Sequence, residues 1–227
     1  MRGREDVRTE DLVGSLVVDL APVKRLRPPM VRAAGWLALS VLVIGAVVAF
    51  NGFRPDLGAR LAEPWEVAQL AAAVATGVLA AIAAFHLALP DRSDAWALLP
   101  LPGFALWVAS LGWGCVADFV RFGADGIALG TSWGCLAFIL ALSIPLGGAM
   151  LFALRHAGPI RPVPTAAIGV LSVAMLASVG LSLIHHLDAA IMLLVWHAGA
   201  VLVAVALSAG LSRPTFRIAQ RLSTAAA

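Results

Sequence analysis

Val67-Ala-Gln-Leu-Ala-Ala-Ala-Val-Ala-Thr-Gly-Val-Leu-Ala-Ala-Ile-Ala-Ala-Phe-His-Leu-Ala-Leu-Pro90 is a run of 24 residues without a formal charge. Roughly 20 mainly apolar residues let an α-helix cross the hydrocarbon core of a bilayer, where the backbone must satisfy its own hydrogen bonds. A strand of a membrane β-barrel would instead alternate apolar and polar side chains over about 10 residues. Leu70–Leu89 shows no such alternation, so the helix is the only spanning structure that fits. Its alanines, dense from Ala71 to Ala84, are small enough to let neighbouring membrane helices approach closely.

Five further charge-free windows surround this one: Ala33–Phe53, Ala95–Ala117, Gly126–Leu154, Pro162–Leu187 and Ala189–Ser212. Charged residues make up only 13% of the 227-residue chain and hydrophobic ones 61%, whereas charged residues are about 25% of a soluble domain. The expected fold is all-α: a six-helix transmembrane bundle with an N-terminal amphipathic cytoplasmic arm. The arm occupies residues 1–32, the spans lie near 33–53, 67–89, 96–117, 134–154, 163–184 and 189–211 within a domain 33–212, and a cytoplasmic tail covers 213–227. The first window follows a 32-residue arm and exceeds the 7–15 residues of a signal-peptide core, so it is expected to stay as an anchor. Pro100 and Pro102 leave the start of the third span open, because proline suits a first turn and disturbs a helix interior.

With the N-terminus inside, thirteen of the sixteen Lys and Arg residues fall on the cytoplasmic side, and only Arg54, Arg60 and Arg121 fall on the other. Lys and Arg near short loops set orientation, so both termini are expected on the cytoplasmic side of an inner-membrane-type bilayer. Trp36, Trp65, Trp96, Trp113 and Trp133 lie near expected span ends, where the amphipathic ring suits the headgroup region. Trp107 and Trp196 lie deeper and are expected to pack.

The spans carry no Asp, Glu, Lys or Arg near their centres, which weighs against an ion-coupled transporter. His86 and His197 fall at different depths, a poor pair for one haem, and a lone histidine in such a helix is more often a hydrogen-bonded packing residue. The outer ends are richer in chemistry. Cys115 and Asp118 close the third span, Cys135 opens the fourth, His185 and His186 end the fifth, and Asp188 precedes the sixth. Thiolate and imidazole both ligate soft or borderline metals, and a thiolate is also the group that oxidants attack. Two cysteines without finger spacing exclude a disulfide scaffold. Membrane cysteines also serve as small apolar residues, and His and Asp are ordinary in a wet loop.

In the arm, Leu12, Leu16 and Leu20 recur at i, i+4 and i+8, with Val13 and Val17 beside them, which makes one apolar helical face. Thr9 is placed as an N-cap before Glu10 and Asp11, whose charges suit a helix start, and Pro22 would end the helix. A helix of about three turns is marginal alone, so its apolar face calls for a partner protein or a membrane surface.

The arm Thr9–Pro29 followed by six spans resembles the NrsF-like family of bacterial membrane anti-sigma factors. Gly134-Cys135, Pro145, the loop Leu154-Arg-His-Ala-Gly-Pro-Ile-Arg-Pro162 and the His185-His186…Trp196 stretch extend the likeness over nearly the whole chain. The resemblance implies a protein without enzymatic activity that holds an extracytoplasmic-function sigma factor at the inner membrane through Leu12, Val13, Leu16, Val17 and Leu20. It also implies release on a periplasmic metal or oxidative signal at a site centred on Cys135, with Cys115, His185, His186 and Asp188 as further candidates. Similar proteins carry a second cysteine where this chain has His186. Either Cys115 replaces it, or His185 and His186 complete a mixed metal site with Cys135. No resident cofactor and no direct contact with nucleic acid are expected, beyond a transient heavy-metal ligand. The competing readings are a metal- or cofactor-binding membrane enzyme or transporter, and a structural subunit that docks another cytoplasmic protein.

Overall fold

The computed structural model describes residues 8–18, 26–127, 133–155, 160–184 and 190–225. Among these the secondary structure is helical and contains no strand. The helices are α1 (Thr9–Val18), α2 (Pro29–Asn51), α3 (Leu57–Arg60), α4 (Pro64–Leu87), α5 (Leu101–Phe122), α6 (Trp133–Leu154), α7 (Pro162–Ile184), α8 (Ala190–Met192) and α9 (Gly199–Ala225). Short 3₁₀ segments flank α5, at Asp94–Leu98 and Gly123–Ile127, and a π-helical turn, Leu193–Ala198, joins α8 to α9.

At the centre, α4 packs against α7, and α2, α5, α6 and α9 surround this pair. The stretch of alanines in the second span explains the choice of axis. Ala72, Ala73, Ala80, Ala81, Ala83 and Ala84 are all buried, so α4 is thin enough to be covered on several sides. Gly77 sits against Leu176 so closely that a Cβ there would lie 2.8 Å from it, and the Ser172 hydroxyl donates to the Gly77 carbonyl at 2.5 Å. On another face, Gly103 of α5 sits where a Cβ would meet Thr76 at 2.7 Å. These close approaches are the packing that small residues make possible inside a membrane.

The surrounding helices turn large apolar side chains outward, among them Val41, Leu42, Phe50, Val120, Ile144 and Leu202. An apolar surface of this extent suits lipid and is unsuited to water. Among the described residues, five helical stretches are long and apolar enough to cross a membrane: Pro29–Asn51, Pro64–Leu87, Asp94–Asp125, Pro162–Ile184 and Leu194–Arg221. This is the architecture of a multi-pass membrane protein.

Two helices differ in extent from the expected spans, and one tryptophan lies deeper than expected. Against an expected third span at 96–117 with its start left open, α5 starts at Leu101 with Pro102 in its first turn and runs to Phe122. There the missing proline N–H removes no helical hydrogen bond. The sixth was placed at 189–211, but α9 continues through Pro214 to Ala225, with Ser212 and Phe216 buried. Trp36, expected at the headgroup level, is 4% exposed and donates from Nε1 to the Leu146 carbonyl at 3.3 Å, which ties α2 to α6. Trp107 is buried as expected of a packing residue.

Candidate functional site

α1 begins at Thr9, with Glu10 and Asp11 in its first turn, and the Arg8 carbonyl accepts from the N–H groups of Asp11 and Leu12 at 3.1 Å each. Thr9 is therefore the first helical residue, one position beyond the capping role expected of it. Leu12, Val13, Leu16 and Val17 are 50–61% exposed, and no residue of α1 is buried. Leu20 lies outside the described residues.

The second concentration of chemistry lies where α2 ends and α4 begins. Arg54, its side chain 5% exposed, donates from Nε and Nη2 to the two carboxylate oxygens of Asp56 at 2.6 and 2.7 Å. Its backbone N–H donates to the Leu183 carbonyl at 3.0 Å, which clasps this loop onto the end of α7. Asp56 also faces Arg60 at 3.5 Å, and Arg60 pairs with Glu66 of α4. Guanidinium and carboxylate thus alternate along one chain of contacts. The two hydrogen bonds from Arg54 hold the Asp56 carboxyl down to about 2, because they favour its ionised form.

Beneath this clasp is a cavity of about 40 Å³, walled by Arg54, Arg60, Glu66, Gln69, Ser178 and His197 over an apolar floor that includes Trp107 and Leu181. Gln69 and Ser178 come from the two central helices, and His197 comes from the π-helical turn. Gln69, Ser178 and His197 are each less than one-tenth exposed.

The residues expected to sense a signal are distributed differently. Cys115 is a partly exposed free thiol on α5. Cys135 falls in the first turn of α6, with its side chain outside the described set, and His185, His186 and Asp188 also lie outside it. Among the described residues, no three His, Cys, Asp or Glu side chains gather as a metal site. His86 stacks on Trp96 with ring centroids 3.9 Å apart, and its Nδ1 pairs with the Ile82 carbonyl at 2.9 Å, the arrangement of a packing histidine.

Sequence reading passed over Gln69, Ser178 and the Arg54–Glu66 chain. One signal was available: Arg54, Asp56, Arg60 and Glu66 alternate in sign within a loop and helix start bounded by two apolar windows. The convergence of Gln69 with Ser178 needs the antiparallel register of α4 and α7, which no local spacing encodes.

The family model described as "NrsF: Negative regulator of sigma F" matches residues 16–217. The matched range takes in Leu16 and Val17 and begins after Leu12 and Val13. No curated protein and no solved structure matches the chain.

Proposed function

The chain belongs to the NrsF family of negative regulators of sigma F, and from that premise we propose that it holds an extracytoplasmic-function sigma factor at the bacterial inner membrane through α1. A sigma factor is the partner that membership implies, and regulation of this kind is not an enzyme class. The observation that carries the finer reading is the apolar face of α1, where Leu12, Val13, Leu16 and Val17 are exposed on a helix with no buried residue. An amphipathic helix of this kind fits an apolar groove on a partner, and Leu20 would extend the same face.

Six crossings with both termini cytoplasmic place α1 where a sigma factor works. The distribution of Lys and Arg supports this orientation, and α6, 22 residues long, would rise about 33 Å if it crosses. The Arg54 end of the bundle then faces the periplasm. Release would follow a metal or oxidative signal at Cys135, with Cys115, His185, His186 and Asp188 as its neighbours, because thiolate and imidazole ligands can bridge separate helix ends.

The test is Leu16→Asp in the full-length protein, with co-purification of the sigma factor from membranes as the readout. Burying an unpaired carboxylate in an apolar groove costs several kcal/mol, on the order of 3–5 when a buried charge lacks its partner. The variant should insert normally and lose the sigma factor. Retention of the sigma factor at the wild-type level would refute the arm as its binding element.

A further inference from the structure

Gln69 and Ser178 are 8% and 2% exposed and line the cavity beneath the Arg54–Asp56 clasp. Neither Gln69 Oε1 nor Ser178 Oγ has a hydrogen-bond partner among the described residues. Buried polar groups are nearly always hydrogen-bonded, and exceptions point to a role or to a bound species. Here two such groups, contributed by both central helices, face one space that two guanidiniums also line. We propose that this cavity binds a small oxyanion such as phosphate or sulfate, either free or carried by a lipid headgroup.

Four features fit that class of ligand. A cavity of about 40 Å³ accommodates about three water molecules, the scale of an inorganic oxyanion. The lining carries Arg54 and Arg60 with one carboxylate, Glu66, while Asp56, which pairs with both guanidiniums, lies outside the lining with its side chain 42% exposed. Guanidinium forks match the oxygens of phosphate and sulfate geometrically. Ser178 supplies an O–H donor, and the Gln69 amide supplies N–H donors once its oxygen and nitrogen are exchanged by rotation.

Glu66 is the internal competitor. Its carboxylate pairs with Arg60, so an entering oxyanion must take over Arg60 and is repelled by Glu66 until it does. Binding is therefore expected to improve when that carboxylate is neutralised, the opposite of what loss of a structural ion pair would give.

The experiment uses the full-length protein in nanodiscs of zwitterionic lipid, titrated with potassium phosphate or potassium sulfate against potassium chloride at matched ionic strength. Thermal unfolding and calorimetry are the readouts. Phosphate or sulfate should raise Tm where chloride does not. Glu66→Gln should tighten binding, and Gln69→Leu and Ser178→Ala should each weaken it, by on the order of tenfold, as for one hydrogen bond to a charged group. In a parallel arm with phosphatidylglycerol in the nanodisc, a headgroup source would raise Tm through the lipid and abolish the response to added salt, and Ser178→Ala would reverse both effects. No stabilisation by phosphate, sulfate or anionic lipid would overturn the proposal. So would a shift of equal size in the near-isosteric Ser178→Ala variant, since the anion would then bind elsewhere.

Discussion

At Asp56 the sign of the pH dependence follows from its partner. Its carboxyl is lowered from an ordinary value of 3.8 to about 2, so the clasp contributes stability that is complete above about pH 4 and is lost as pH falls through 2. Hydrogen-exchange protection of residues 52–63 should therefore hold at pH 4 and drop below about pH 3. Asp56→Asn should lower it above about pH 3 and make little difference once the carboxyl is protonated. Cys135 poses a different question, because the expected phenotype of Cys135→Ser is an arm that keeps its sigma factor and no longer releases it on exposure to metal or oxidant. A reporter of sigma-factor activity measures this directly. Normal induction in both Cys135→Ser and His186→Ala would assign these residues to packing. At this scale the sequence was legible where chemistry is local. His86 was readable as a packing residue from its isolation, whereas nothing in the local sequence singles out Gln69, which gains its meaning only where α7 brings Ser178 to the same cavity.

Whole helices were easier to read than their ends. A window of 21 or more uncharged residues has one stable backbone solution in lipid, which is why α2, α4 and α7 lie within a few residues of expectation. Boundaries set by proline and by charge followed other physics. Pro102 was absorbed into a first turn, and Arg213 did not stop α9, because Phe216 one turn further on is buried at 2% exposure. Residues 213–221 therefore extend the packed helix beyond the expected end of the sixth span. Phe216→Ala should destabilise the protein by about 3–5 kcal/mol, the usual cost of deleting a buried aromatic ring, as read from denaturant titration in detergent. A loss below 1 kcal/mol would make this segment a mere appendage.

For the molecule as a whole, orientation is the property that charge alone predicts. Reporter fusions after Arg92 and Arg161 should be cytoplasmic, and fusions near Asp56, Asp125 and Asp188 periplasmic. A cytoplasmic Asp125 fusion would separate Cys115 and Cys135 from the proposed signal and overturn their grouping. The seam between α4 and α7 also has a mechanical consequence. The α4 side is smooth with alanine, yet the two helices are fastened near the midpoint of both, where Ser172 bonds to Gly77 and Leu176 fills the space beside it. Two rods held at one point along their seam rock about it as a beam rocks on a fulcrum. Spreading them at Gln69 and Ser178 presses Ala84 towards Gly169, where the helices already approach, so a displacement at one end of the seam reaches the other with its direction reversed.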